Sequence, residues 1–260
     1  MKRNKLKDKI KRHQTVYGLF VSIPHPSVIE LIGHAEFDFV IIDLEHTTID
    51  LEILENMIRA AELLEITPLV RIAEIERTSI LKVLDCGAQG IVIPHVSCKE
   101  QVEQVIEYSY YHPIGHRSLN SGRPAAFAKE SLTEYIAAAN EEIMMIPMIE
   151  NIEGIRNCKD ILSLPQIGFV LEGAADLSQS LAVPWQIEHP QVQNAIEALY
   201  DIVKACHIPY ATVSREKDQH RRWADKGVRI FVLGDDRNTA FRAYRQKKMD
   251  YQNITGGQYE

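Results

Sequence analysis

Cysteine is scarce and unpaired in this sequence. Cys86, Cys98, Cys158 and Cys206 are scattered with no CxxC pair, which argues against a zinc site or a disulfide framework. Positive charge is also short: the formal net charge of -7 lacks the basic footprint of a general nucleic-acid binder. No stretch approaches the ~20 apolar residues of a membrane span. The basic start "MKRNKLKDKIKRH" is not followed by the apolar region of a secretory signal. There is no GxGxxG turn for a dinucleotide and no low-complexity linker to divide the chain. What remains is a soluble enzyme or binding protein, expected in the cytoplasm, with no nucleic-acid or membrane partner.

The 260 residues are 45% apolar and 25% charged, an ordinary globular profile at a length that α/β barrels reach as one domain. Eight β-rich runs recur: "VYGLFVS" (16–22), "FDFVIID" (37–43), "TPLVRI" (67–72), "GIVIPHV" (90–96), "IMMIPMIE" (143–150), "IGFVLEG" (167–173), "PYATVS" (209–214) and "RIFVLGD" (229–235). Several are near-continuous in Val, Ile, Leu and Phe, as parallel strands covered on both faces should be. Segments with helical spacing lie between them. In 51–65, Leu51, Leu54, Ile58 and Ala61 share a face, and 78–89, 98–111, 189–207 and 214–227 behave similarly. The alternation predicts a single (β/α)8 TIM barrel over 1–260, with its core at about 16–245. The lysine-rich start forms a helix before the first strand, and 251–260 is a polar tail.

Active sites of such barrels gather at the C-terminal ends of the strands. Here those ends carry Asp43, Glu45 and His46, then Arg71, His95, Glu150, Glu172, Asp176, Asp235 and Asp236. Glu150 and Asp176 follow apolar runs. Two carboxylates facing one partly desolvated space repel unless a cation or a shared proton intervenes. Oxygen-only ligation suits a hard divalent ion, Mg²⁺ or Mn²⁺, while helix capping is the plainer role, above all for Asp176 in "AADLSQSL". Arg71 can hold a substrate carboxylate or pair with Glu45 or Glu150. Asp43, three residues before His46, can hold one imidazole nitrogen and leave the other as a base. His25 and His95 lie toward the same face, where loop or packing roles explain both. The loop "YHPIGHRSLNSGR" carries Arg117 and Arg123, which an anionic substrate could meet.

The segments "IIDLEH", "LVRI", "LDCGAQGIVIPHV", "HPIGHRS", "MIE" and "GAADLSQSL" resemble, in order and spacing, the HpcH/HpaI aldolase family from Val16 to Phe241. The resemblance implies a metal-dependent (β/α)8 enzyme that makes or breaks carbon–carbon bonds next to the enolate of a 2-oxo acid. It implies Glu150 and Asp176 as metal ligands, Arg71 as the group facing the 2-oxo acid, and His46 with Asp43 as the acid/base pair. It further implies substrate binding on Gly173-Ala174-Ala175-Asp176, where the amides of Ala175 and Asp176 would hold its carboxylate. The family's glutamine two residues before the metal-binding glutamate is Met148 here. Its Gly-Pro-Ala-Asp has Ala174 in place of proline, preceded by Glu172, and its glycine after "GHR" is Ser118. These departures resemble the family's citrate-forming branch, which implies oxaloacetate and acetyl-CoA as reactants. The alternative is an aldolase for pyruvate and an aldehyde. The family also implies a homo-oligomer, often a hexamer that exchanges C-terminal helices, a role open to "NTAFRAYRQKK".

Overall fold

The computed structural model describes residues 1–129 and 131–254. All eight expected strands form: β1 (Val16–Val21), β2 (Phe39–Asp43), β3 (Thr67–Arg71), β4 (Gly90–Ile93), β5 (Met144–Ile149), β6 (Val170–Glu172), β7 (Tyr210–Val213) and β8 (Ile230–Asp235). They pair in parallel in chain order, and β8 returns to β1 to close the barrel. Closure leaves no sheet edge to pair with another chain.

Side chains alternate across each strand, so the strands carry two apolar layers. Inside the barrel, Val16, Phe39, Ile41, Leu69, Ile146, Phe169, Leu171 and Val232 are buried together. Outside it, Val40, Ile42, Val70, Ile91 and Val170 pack under the helices. Gly18 opens room for the Phe39 ring, since a Cβ there would fall 2.2 Å from the ring.

The basic start forms the helix Lys5–Lys11, capped by Asn4, whose side chain accepts from the Lys7 amide. That helix covers the N-terminal end of the barrel. Leu6 is fully buried in the barrel's inner layer, worth about 1.5–3 kcal/mol of burial. The expected helices appear as Leu51–Leu63, Arg77–Asp85, Lys99–Ser109, Pro190–Ala205 and Lys217–Asp225. A further helix, Pro26–His34, begins where His25 accepts from the Ser27 amide, so His25 is a cap. After β8 the helix Asp236–Ile254 runs through the start of the expected tail, and 255–260 lie outside the described residues. Among the described residues, no helix is long and apolar enough to cross a membrane.

Candidate active site

Strand alternation decides which ionisable groups face the barrel's mouth. Asp43 continues the inner row of Phe39 and Ile41, Arg71 follows Leu69, Glu150 follows Ile146 and Met148, and Gly173 follows Phe169 and Leu171. Glu172 falls in the outer row with Val170. There it is fully buried and accepts hydrogen bonds from the Ala174 amide (2.8 Å), the Val213 amide (2.9 Å) and Thr212 Oγ1 (3.2 Å). It fastens β6, β7 and the following helix, and it does not line the mouth.

The mouth is a cavity of about 800 Å³ whose lining includes Phe20, Ser22, Asp43, His46, Arg71 and Met148. Gly173, Ala175 and Asp176 also line it, as do Arg215, Asp235, Arg237 and Arg242. Of the expected turn, Ala174 is fully buried and its amide is already given to Glu172, so it presents nothing to substrate. Asp236 is likewise spent, accepting from the amides of Ser22 (3.0 Å) and Ile23 (2.9 Å) and so tying β1 to the last helix.

Arg71 is buried between two carboxylates. Its Nε and Nη2 donate to Asp43 at 2.9 and 2.8 Å, and its Nη1 lies 2.9 Å from Glu45 Oε2. Phe20 covers one face of the guanidinium, with its ring centroid 5.0 Å away. Burial opposes the charge, but the bonds to Asp43 and the fields of Glu45 and Glu150 outweigh it and raise the Arg71 pKa above its ordinary value. A guanidinium has five N–H donors, so three contacts leave two for a ligand.

This clamp corrects the expected pairing of Asp43 with the His46 ring. The Asp43 carboxylate is occupied by Arg71 and also accepts from the Glu45 amide at 3.0 Å and the His46 amide at 3.5 Å. The His46 ring is exposed at the cavity, with Glu45 Oε2 at 3.9 Å from its Nε2. His46 and Asp43 therefore share a loop without sharing a proton.

His95, expected in a loop or packing role, and Glu45, expected only as a partner to Arg71, join the site. The His95 Nε2 lies 3.0 Å from Glu45 Oε1, and its Nδ1 lies 3.4 Å from Glu150 Oε1. Its amide also donates to Glu150 Oε1 at 2.7 Å. His95 takes a left-handed backbone (φ 51°), a conformation uncommon for residues other than glycine. The strand end "IPHV" was the available signal, but the bridge depends on two elements distant in sequence.

Glu150 is almost wholly buried, and its Oε2 has no hydrogen-bond partner. Burial pushes its pKa up to about 7; the His95 amide and ring pull it down, and Asp176 pushes it up again. Gly173 makes room for it, since a Cβ there would fall 2.3 Å from Glu150 Oε2. An orphaned buried oxygen beside a second carboxylate is a donor set that fits a hard divalent cation completed by water and substrate oxygens. The fit is sparse: no group of three or more His, Cys, Asp or Glu side chains suited to a metal occurs among the described residues.

Other candidates lie elsewhere. Arg117 is buried against Asp85 (2.8 Å) with the Tyr111 ring below it, and Arg123 pairs with Glu62 at 2.7 Å. Both fasten the 112–123 loop to the barrel's flank. Burial drives the Cys86 thiol up to about 11 and the Cys158 thiol to about 12, so neither serves as a nucleophile.

Comparison with known proteins places this geometry. The family model described as HpcH/HpaI aldolase/citrate lyase matches residues 16–243. The crystal structure of citrate synthase SbnG is 39% identical, with a TM-score of 0.89 over 97% of this chain and 99% of that one. A hydroxypyruvate/pyruvate aldolase of Pseudomonas aeruginosa is 28% identical over 243 residues, 94% of this chain and 91% of its own. A 2-keto-3-deoxy-L-rhamnonate aldolase of Salmonella schwarzengrund is 31% identical over 202 residues, 78% of this chain and 76% of its own. The family consists of enzymes that act on oxo acids and generally depend on a divalent metal ion. With the family match spanning nearly the whole barrel, the chain belongs to the HpcH/HpaI aldolase/citrate lyase family.

Proposed function

We propose that this protein is a citrate synthase of siderophore biosynthesis, of the staphyloferrin B type. It condenses oxaloacetate with acetyl-CoA and water to give citrate and CoA. The observation that carries the reading is the 39% identity to citrate synthase SbnG across almost the entire length of both chains. The aldolase relatives stand at 28% and 31%. The cavity also supports it, since about 800 Å³ lies near the top of the range for small-molecule sites and exceeds what a four-carbon acid fills.

Oxaloacetate binds with a carboxylate against the two free N–H groups of Arg71 and the amides of Ala175 and Asp176. Arg71 keeps its direction because Asp43 holds it bidentately. The exposed His46 removes a proton from the acetyl methyl, and the resulting carbanion attacks the oxaloacetate ketone. Water then cleaves the thioester, releasing CoA. Glu150 and Asp176 would hold a divalent ion, Mg²⁺ in the first instance or Mn²⁺. When bound, the ion supplies Lewis-acid polarisation of the keto group.

A second reading of the same centre is favoured by His95, whose two ring nitrogens face Glu45 and Glu150. In this reading, His95 and Arg71 serve the ketone as hydrogen-bond donors, and no ion is needed. The runner-up activity is a 2-oxo acid aldolase acting on pyruvate and an aldehyde. Purified protein given oxaloacetate and acetyl-CoA, with free thiol and citrate followed with and without EDTA, separates these readings. Thiol release with citrate supports the synthase, its loss in EDTA supports the ion, and turnover of pyruvate with aldehydes alone supports the aldolase.

The helix Asp236–Ile254 leaves Phe241 61% and Tyr244 74% exposed, which supports a homo-oligomer, a hexamer by family resemblance, that covers them. Four free cysteines accord with a cytoplasmic protein.

A further inference from the structure

Toward the C-terminal side of the cavity, the chain places charge that the reactions at Arg71 do not use. Arg215, just after β7, and Arg237 and Arg242, on the first turns of the last helix, all line the same cavity. None of the three forms an ion pair with a carboxylate among the described residues. Among the described residues, the only hydrogen bond of these guanidiniums is the one Arg215 donates to the Val213 carbonyl at 3.4 Å. Three guanidiniums without an ion pair thus line one cavity in a chain with net charge -7. Two carboxylates that line the cavity are hydrogen-bonded by other groups. Asp235 accepts from the Asn238 amide and side chain, at 2.8 and 2.7 Å, and Asp43 is held by Arg71. Asp176 also lines the cavity, and its charge acts on Glu150.

Trp185 completes this rim. It lines the cavity yet is 80% exposed, on the loop after the helix Ala174–Ser180, where its amide donates to Ser178 Oγ at 2.9 Å. An indole left in water at a cavity rim is a stacking surface with no internal partner, and guanidinium forks match phosphate oxygens. The combination of several unpaired forks and a flat aromatic face suits a phosphorylated nucleotide better than a simple dicarboxylate.

We infer that Arg215, Arg237, Arg242 and Trp185 form a subsite for the phosphates and purine of a nucleotide-bearing acyl donor. This deepens the synthase reading and rests on it for the acyl group. The nucleotide end stays at the rim while the thioester reaches inward toward His46 and Arg71. The subsite also explains why the cavity is larger than its 2-oxo acid requires.

The test uses the full-length protein and the two tryptophans as reporters. Trp223 is buried, so quenching by an added nucleotide reports Trp185. CoA and adenosine 3′,5′-bisphosphate are expected to quench it, pantetheine is not, and Trp185→Phe is expected to abolish the signal. Arg237→Ala and Arg242→Ala should each weaken adenosine 3′,5′-bisphosphate binding roughly tenfold, the worth of one charge-assisted hydrogen bond. In steady-state kinetics, the KM advantage of acetyl-CoA over S-acetylpantetheine should shrink by a similar factor. If nucleotide binding and that advantage survive both substitutions, the subsite is overturned even where citrate is made. If the protein makes no citrate but arginine-dependent quenching persists, the synthase reading falls and the subsite stands.

Discussion

The Asp43 carboxylate grips Arg71 with two parallel hydrogen bonds, at 2.9 and 2.8 Å, across the adjacent ends of β2 and β3. Both residues are buried, so the pair acts as one rigid unit that aims the remaining guanidinium donors into the cavity. Asp43 is thereby a positioning residue for Arg71, and its link to His46 runs through the backbone.

Asp43→Ala should therefore behave as a lesion of Arg71. Removing one partner of a buried pair costs about 3–5 kcal/mol. Glu45 remains 2.9 Å from Nη1, so the expected loss sits at the lower end, about 3 kcal/mol in urea denaturation. Kinetically, the KM for the 2-oxo acid should rise at least tenfold.

Gly173→Ala should damage the site by simple collision. The backbone there is ordinary (φ -125°), so the cost comes only from a Cβ placed 2.3 Å from Glu150 Oε2 and 2.6 Å from its Cβ. A stability loss of about 1–3 kcal/mol is expected for such overpacking, together with near-complete loss of turnover. Thermal melting and thiol release measure the two effects.

Glu150 sets a pH dependence whose sign is fixed by burial. Its folded pKa, pushed up to about 7, lies above its ordinary 4.5, so the folded state holds the proton more tightly. Its contribution to stability is fully present below pH 4.5 and is lost as the pH rises through about 7. In EDTA, Glu150→Gln should match the wild-type urea midpoint at pH 4.5 and exceed it at pH 8. A gap that stayed constant with pH would contradict the burial argument.

A divalent ion at Glu150 and Asp176 must displace that proton. Mg²⁺ should therefore raise the melting temperature more at pH 8 than at pH 6. Glu150→Gln or Asp176→Asn should abolish the effect. If melting and activity ignore both Mg²⁺ and EDTA, the ion is dispensable. His95→Ala should then cost at least a hundredfold in kcat, measured with oxaloacetate saturating.

Much of this was legible in the sequence because strands and helices have different periods. All eight strands and the mouth residues Asp43, Arg71 and Glu150 follow from apolar runs and their ends. The same alternation, applied strictly, also excludes Glu172 from the mouth, since it shares a face with Val170. The partner of Asp43 was not legible. His46 is close in sequence, but Arg71, 28 residues away, is its register neighbour across the strands. The His95 bridge escaped for the same reason, because contacts between distant segments leave no local pattern. The unpaired arginines at the rim become visible only once the other charges have found partners.

The most direct test of the account is citrate formation itself. Purified protein with oxaloacetate and acetyl-CoA should release one thiol for each citrate formed, and Arg71→Ala should abolish both. Absence of citrate, accompanied by cleavage or formation of pyruvate–aldehyde adducts that still requires Arg71, would contradict the synthase and leave an aldolase in its place.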